Sequence, residues 1–122
     1  MPGRVNADTA SRALVAGDVA IGAGWGGTAT KAVTAGSNDQ RGEVVITASA
    51  TTPAQATATV TITFAQAYGQ TPFAVVVQSA NDEAATVQAP RDIVVTKTTL
   101  SFTASVIPVA TKIYKYAYQV LG

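Results

Sequence analysis

The sequence predicts an all-β fold, an antiparallel β-sandwich or jelly-roll-like domain preceded by an extended N-terminal arm. Three observations carry this expectation. First, residues 57–64 alternate without error: Thr57, Thr59, Thr61 and Thr63 fall on one face, Ala58, Val60, Ile62 and Phe64 on the other. A period of two suits a strand with one buried face and cannot be met by a helix. Second, the pattern recurs. Residues 99–106 place Leu100, Phe102, Ala104 and Val106 inward, and residues 113–121 place Tyr114, Tyr116, Tyr118 and Val120 on one side. Third, turn formers punctuate the chain at short intervals, and two-faced alternation of this kind favours antiparallel pairing.

Taken in order, residues 1–27 read as an arm with little core of its own. Asp8 is placed to cap a short helix over 9–16, with Gly17 as its stop. At about two turns such a helix does not hold alone in water. Residues 22–27 read as a glycine-rich hinge around Trp25. The arm either lies on the β-domain or docks on a partner. Residues 28–122 form the sandwich domain, with strands expected at 29–34, 43–48, 57–64, 73–79, 86–89, 93–96, 99–106 and 113–121. The turns between them are marked by Gly36-Ser37-Asn38-Asp39, Thr52-Pro53, Gly69-Gln70-Thr71-Pro72, Asn81-Asp82-Glu83 and Pro90-Arg91-Asp92. The β-branched threonines and valines fit a pleated surface. The abundant alanine, a helix former, is overruled by the alternation.

Composition closes several function classes. The chain has 122 residues, 48% of them hydrophobic and 12% charged, with a net charge of +1. This is one domain, able to bury about two-thirds of its unfolded surface. Without cysteine there is no disulfide framework, thiolate nucleophile or thiolate zinc site. Without histidine the commonest general base and metal ligand are missing. The near-neutral balance gives no electrostatic footprint for nucleic acid. No apolar run reaches the ~18 residues of a spanning helix. The start of the chain carries no signal-peptide core, because Gly17 and Asp18 cut the apolar stretch 13–16.

The constellations that could hold chemistry are weak. Gly22-x-Gly24-x-x-Gly27 has the spacing of a dinucleotide fingerprint, but β-type residues follow where a helix must open. The seven acids fall mostly in predicted turns, where carboxylates are solvated or bond their own backbone. Lys31, Lys97, Lys112 and Lys115 read as edge protection rather than as bases. Tyr114, Tyr116 and Tyr118 form an aromatic ladder that either stacks a ligand or lines a core or intersubunit seam. Ile113, Ala117 and Leu121 make the last strand apolar on its other side as well. In so small a domain, that points to contact with another subunit. The expectation is therefore no enzyme, no cofactor, no metal site, no nucleic acid and no membrane.

The order of segments adds a resemblance. The glycine-rich lead at 22–27 runs into Thr28-Ala29-Thr30, then Ala35-Gly36-Ser37-Asn38-Asp39, Gly42-Glu43-Val44-Val45-Ile46-Thr47 and Ala58-Thr59-Val60-Thr61-Ile62-Thr63-Phe64-Ala65. Ala67-Tyr68, Thr71-Pro72-Phe73-Ala74-Val75-Val76-Val77 and a final strand from Tyr114 to Gly122 complete it. Over residues 20–122 this resembles the small β-domains of tailed-bacteriophage structural proteins, found in tails and fibres and as short free-standing virion proteins. The resemblance implies a virion structural protein, foremost a capsid decoration or cement protein. It would be made in the bacterial host cytoplasm and act on the outer virion surface. Its partners would be the major capsid protein and further copies of itself, as a homotrimer. The residues placed to touch partners are Arg4, Arg12, Leu14, Val15, Trp25, Tyr114, Tyr116 and Tyr118. The alternative is a receptor-binding or fibre-tip domain recognising a host surface glycan, through Trp25, Tyr68 and the loop 81–83.

Overall fold

The computed structural model describes residues 13–49, 57–78, 90–105 and 107–122. Eight strands form among them: β1 (Val19–Ile21), β2 (Thr30–Val33), β3 (Arg41–Thr47), β4 (Thr59–Thr63), β5 (Phe73–Gln78), β6 (Pro90–Val95), β7 (Thr99–Ala104) and β8 (Ile113–Leu121). They build two four-stranded antiparallel sheets, in the orders β1-β4-β7-β6 and β2-β3-β8-β5. The all-β sandwich expected from the alternation is what the chain forms. Val60, Ile62, Leu100 and Phe102 from one sheet meet Val44, Ile46, Val76, Tyr114, Tyr116, Tyr118 and Val120 from the other in a single core. The eight-residue alternation of 57–64 lies on β4, whose threonines face outward while Ala58, Val60, Ile62 and Phe64 are buried. Each fully buried aliphatic side chain contributes about 1.5–3 kcal/mol relative to exposure.

Strand β8 is the spine of the second sheet. All of β3 pairs with it, from Arg41 opposite Gln119 to Thr47 opposite Ile113, and β5 pairs on its other side. The expected strands at 113–121 and 73–79 hold, although Ser79 lies outside the described residues. So do the strand expected at 86–89 and Val106. The strand expected at 93–96 starts earlier, at Pro90. A proline is tolerated there because β6 is an edge strand and Pro90 is its first residue.

The N-terminal reading needs correction. Residues 1–12, with the first half of the expected helix, lie outside the described residues. Of the two courses expected of the arm, residues 13–27 take the first: they lie on the β-domain, and they contribute to its core. Leu14, Val19 and Trp25 belong to the core, and β1 pairs with β4 through Val19 opposite Ile62 and Ile21 opposite Val60. Residues 13–15 are not helical, and a single 3-10 turn, Ala16–Asp18, follows. The Asp18 carboxylate accepts the Val15 N–H at 3.0 Å, which stabilises that tight turn, while β-branched Val15 and Gly17 are poor material for a longer helix. Residues 18–21 read as a possible strand in the sequence, and the structure supplies its partner, β4.

The glycine hinge is not a hinge either. A second 3-10 turn, Ala23–Trp25, buries Gly24 and Trp25. The Thr59 carbonyl accepts both the Gly22 N–H at 2.9 Å and the Trp25 indole N–H at 3.0 Å. Any Cβ on Gly22 would collide with the Thr57 carbonyl and the Thr59 hydroxyl, so this glycine is required for close approach. Gly26, at φ 101°, turns the chain out of the site in a conformation other residues resist.

Candidate functional site

The aromatic residues divide sharply. Of one tryptophan, four tyrosines and three phenylalanines, all but Phe73 are buried or half-buried. Trp25 packs against Tyr114 with ring centroids 5.5 Å apart and against Tyr116 at 6.4 Å, and Tyr116 in turn meets Phe102 at 5.0 Å. These separations fall in the favourable range for tilted and edge-to-face rings. The ladder Tyr114-Tyr116-Tyr118 therefore lines the protein's own core. The expectation that Trp25, Tyr114, Tyr116 and Tyr118 touch a partner is overturned for all four. So is it for Leu14, which is 5% exposed. Alternation put the tyrosines on one face correctly, but it cannot tell which face of a strand is inward when both are apolar. Of the remaining candidates, Val15 is exposed, and Arg4 and Arg12 lie outside the described residues.

The hydroxyls of the buried rings bind backbone groups at the two ends of the sandwich. Tyr118 donates to the Asn38 carbonyl at 2.5 Å and Tyr68 to the Asp39 carbonyl at 3.0 Å. The Tyr114 hydroxyl accepts the Val109 N–H at 2.7 Å. Asp39 is buried, and its two carboxylate oxygens accept the N–H groups of Ala65 at 2.7 Å and Gln66 at 3.0 Å. Leu14 N–H donates to the Ser37 carbonyl, and Val120 N–H to that of Gln40. The β2–β3 turn thus ties together the N-terminal segment, the loop after β4 and strand β8. Desolvation by burial, then the nearby Asp39, Tyr68 and Asp18, push the Tyr118 phenol above its ordinary value of 10.0.

The other described acids are engaged in the same local fashion. Asp18 holds its turn, Glu43 accepts the Thr34 hydroxyl at 2.7 Å, and Asp92 pairs with Arg91 at 3.5 Å in solvent. Among the described residues no three acids gather as a metal site. Tyr68, a candidate glycan contact, is half-buried with its ring edge-on to Phe64 at 5.1 Å. The loop 81–83 lies outside the described residues.

What the structure does present is an apolar row on the outer face of the second sheet. Phe73, Val75 and Val77 of β5 point outward and are 78%, 51% and 52% exposed; Leu121 of β8, directly opposite Phe73, is 51% exposed. Ala117 lies opposite Val77 on the same face. Along β8 and β3 the face grows polar, through Gln119, Lys115, Arg41 and Glu43. An exposed aromatic beside aliphatic neighbours, rimmed by polar groups and held on a rigid sheet, is the composition of a protein-contact surface. The sequence predicts a strand over 73–79 but assigns it no outward role. The missed signal is that the run 73–77 is apolar at every position. In a two-layer sandwich one of its faces must then point away from the core.

No family model, curated protein or solved structure matches the chain. The site must be read from its own geometry.

Proposed function

We propose that this chain is a non-catalytic virion structural protein of a tailed bacteriophage, a decoration protein that binds the outer surface of the head and reinforces the shell. The observation that carries the reading is the outward row Phe73-Val75-Val77 with Leu121, a contiguous apolar surface that includes the most exposed of the described large hydrophobic residues, Phe73. Such a surface serves contact with protein rather than conversion of a small molecule. The segmental resemblance over residues 20–122 supplies the virion setting. In this reading the sandwich is the rigid body, residues 1–12 engage the major capsid protein, and the outward row meets neighbouring molecules on the shell. Many copies, each weakly held, would resist internal pressure together. The burial of Trp25 and half-burial of Tyr68 remove two of the three contacts that the glycan-binding alternative relied on.

The test is binding to purified heads of the phage that carries the gene. Co-sedimentation is expected to saturate at hundreds of copies per head. Removal of residues 1–12 is expected to abolish it while the thermal transition persists. The truncation stops at 12 because Leu14 and Val19 are core residues. Failure to sediment with heads, together with adhesion to host cells, would overturn the reading.

A further inference from the structure

The sandwich has four edge strands, and three of them carry devices that discourage pairing with another chain. Strand β1 has three residues. Strand β2 has four, and its Lys31 ammonium donates to the Val19 carbonyl, tying the β2 edge to β1. Strand β6 begins with Pro90, carries Arg91 and Asp92, and shifts register between Arg91 and Val94, with Asp92 at φ 52°. Short length, charge, proline and bulges are the usual guards of a sheet edge. Strand β5 has none of them. It is six residues long, Phe-Ala-Val-Val-Val-Gln, without charge, glycine or proline, and its pairing with β8 runs through all six residues without a register shift. No described strand pairs with its other side.

We propose that β5 is a self-association edge, at which two copies of this chain pair their β5 strands antiparallel across a two-fold axis centred on Val75. This rests on the reading of β5 as a protein-contact element and names the partner of its edge, the outward row remaining on the outer face of the joined sheets. The register follows from the side chains. To keep outward residues outward in both copies, Phe73, Val75 and Val77 must face one another. Centring on Val75 sets each Phe73 opposite Val77 of the second copy, an aromatic–β-branched pair of the kind that stabilises antiparallel sheets. Centring on Val76 would instead set Phe73 opposite Ser79 and lose both pairs. The segment is uncharged, so no like charges meet when it pairs with itself. Phe73, Val75 and Val77 of the two copies then meet side by side across the seam, while Leu121, one strand further in, stays on the outer face. Pairing of the edges adds main-chain hydrogen bonds and these cross-strand pairs without burying the outer face, so a weak, reversible dimer is expected. A contact of one edge with itself is isologous and closes at two subunits, in place of the three-fold assembly that the resemblance implied.

The experiment measures the molar mass of the full-length protein across the micromolar range by sedimentation equilibrium. A monomer–dimer equilibrium is expected. Val75→Lys, which adds an edge guard at an exposed position, is expected to weaken it at least tenfold with the thermal transition unchanged. Val94→Lys on β6 is expected to leave it intact. The register is tested by Val75→Cys, the only thiol in the chain. Facing Cα atoms about 4.5–5.5 Å apart at the axis would form an intermolecular disulfide under mild oxidation, whereas Val94→Cys would not. A wild-type monomer throughout, a trimer, or a dimer unaffected by Val75→Lys would overturn the proposal, whatever the protein does with heads. A dimer lost in Val75→Lys, from a protein that fails to bind heads, would leave this inference standing and sink the virion reading alone.

Discussion

Strands β8 and β5 are hydrogen-bonded neighbours with similar apolar content, yet they orient it oppositely. Strand β8 turns Tyr114, Tyr116, Tyr118 and Val120 into the core. Strand β5 turns its smaller residues, Ala74 and Val76, inward and its largest, Phe73, out to solvent. The ladder joining them is continuous, so pairing geometry does not account for the difference. Position does. β8 is central and packed against the opposite sheet, while β5 is an edge whose outer face owes nothing to the monomer's stability. Large apolar residues inward build the domain; large apolar residues outward on an unguarded edge serve something outside it.

The comparison breaks most visibly at Trp25, which closes the inner side of β8. Trp25→Ala removes the ring packed on Tyr114 and Tyr116 and the indole bond to Thr59. The expected loss is about 3–5 kcal/mol, a large share of the 5–15 kcal/mol typical of a domain. Thermal or urea unfolding is expected to show a transition lowered by about 10 °C or more. A partner-binding tryptophan would have left the transition in place.

A smaller effect is expected at Tyr118, where the inner face of β8 meets the β2–β3 turn. Tyr118→Phe loses the hydroxyl that donates to Asn38, about 1 kcal/mol at neutral pH. The pH dependence gives the sign. Burial raises the phenol in the folded state, so above its ordinary value of 10.0 the unfolded chain releases a proton that the folded chain keeps. Stability from this group is complete below about pH 10 and is lost as pH rises toward the folded value. Phenylalanine has no such proton. The gap between wild type and Tyr118→Phe in urea midpoints is therefore expected to narrow between about pH 9 and 11. A gap constant across that range would mean the hydroxyl is not held as described.

How much was legible beforehand follows from the same contrast. Strict alternation at 57–64 and 113–121 was enough for a sandwich, because a period of two fixes which residues share a face. It could not say which face of β8 is inward, since Ile113, Ala117 and Leu121 are also apolar. The tyrosine face therefore reads as core lining or as a contact surface alike, and the structure makes it core. Trp25 and Gly22 looked like a hinge because glycine density is the same whether the chain must bend or must pass close to another backbone. Only the Thr59 carbonyl, 34 residues from Trp25, distinguishes the two. The edge status of β5 was out of reach altogether, because it depends on strand order, which links segments far apart in the chain.

The sharpest form of the comparison lies within β5 itself, between adjacent valines on opposite faces. Val76 is 6% exposed and packs in the core; Val75 is 51% exposed on the outer row. Val76→Ala removes buried methyl groups at about 0.8 kcal/mol per carbon and leaves a partial cavity, an expected cost of about 2 kcal/mol. Val75→Ala removes the same atoms from solvent and is expected to change stability by less than about 0.5 kcal/mol. Both are read by urea unfolding at low protein concentration, so that association does not add to the apparent stability. Equal costs for the two valines would mean that the outer row is covered within the monomer, and it would then not be the open surface proposed to meet neighbouring molecules on the shell.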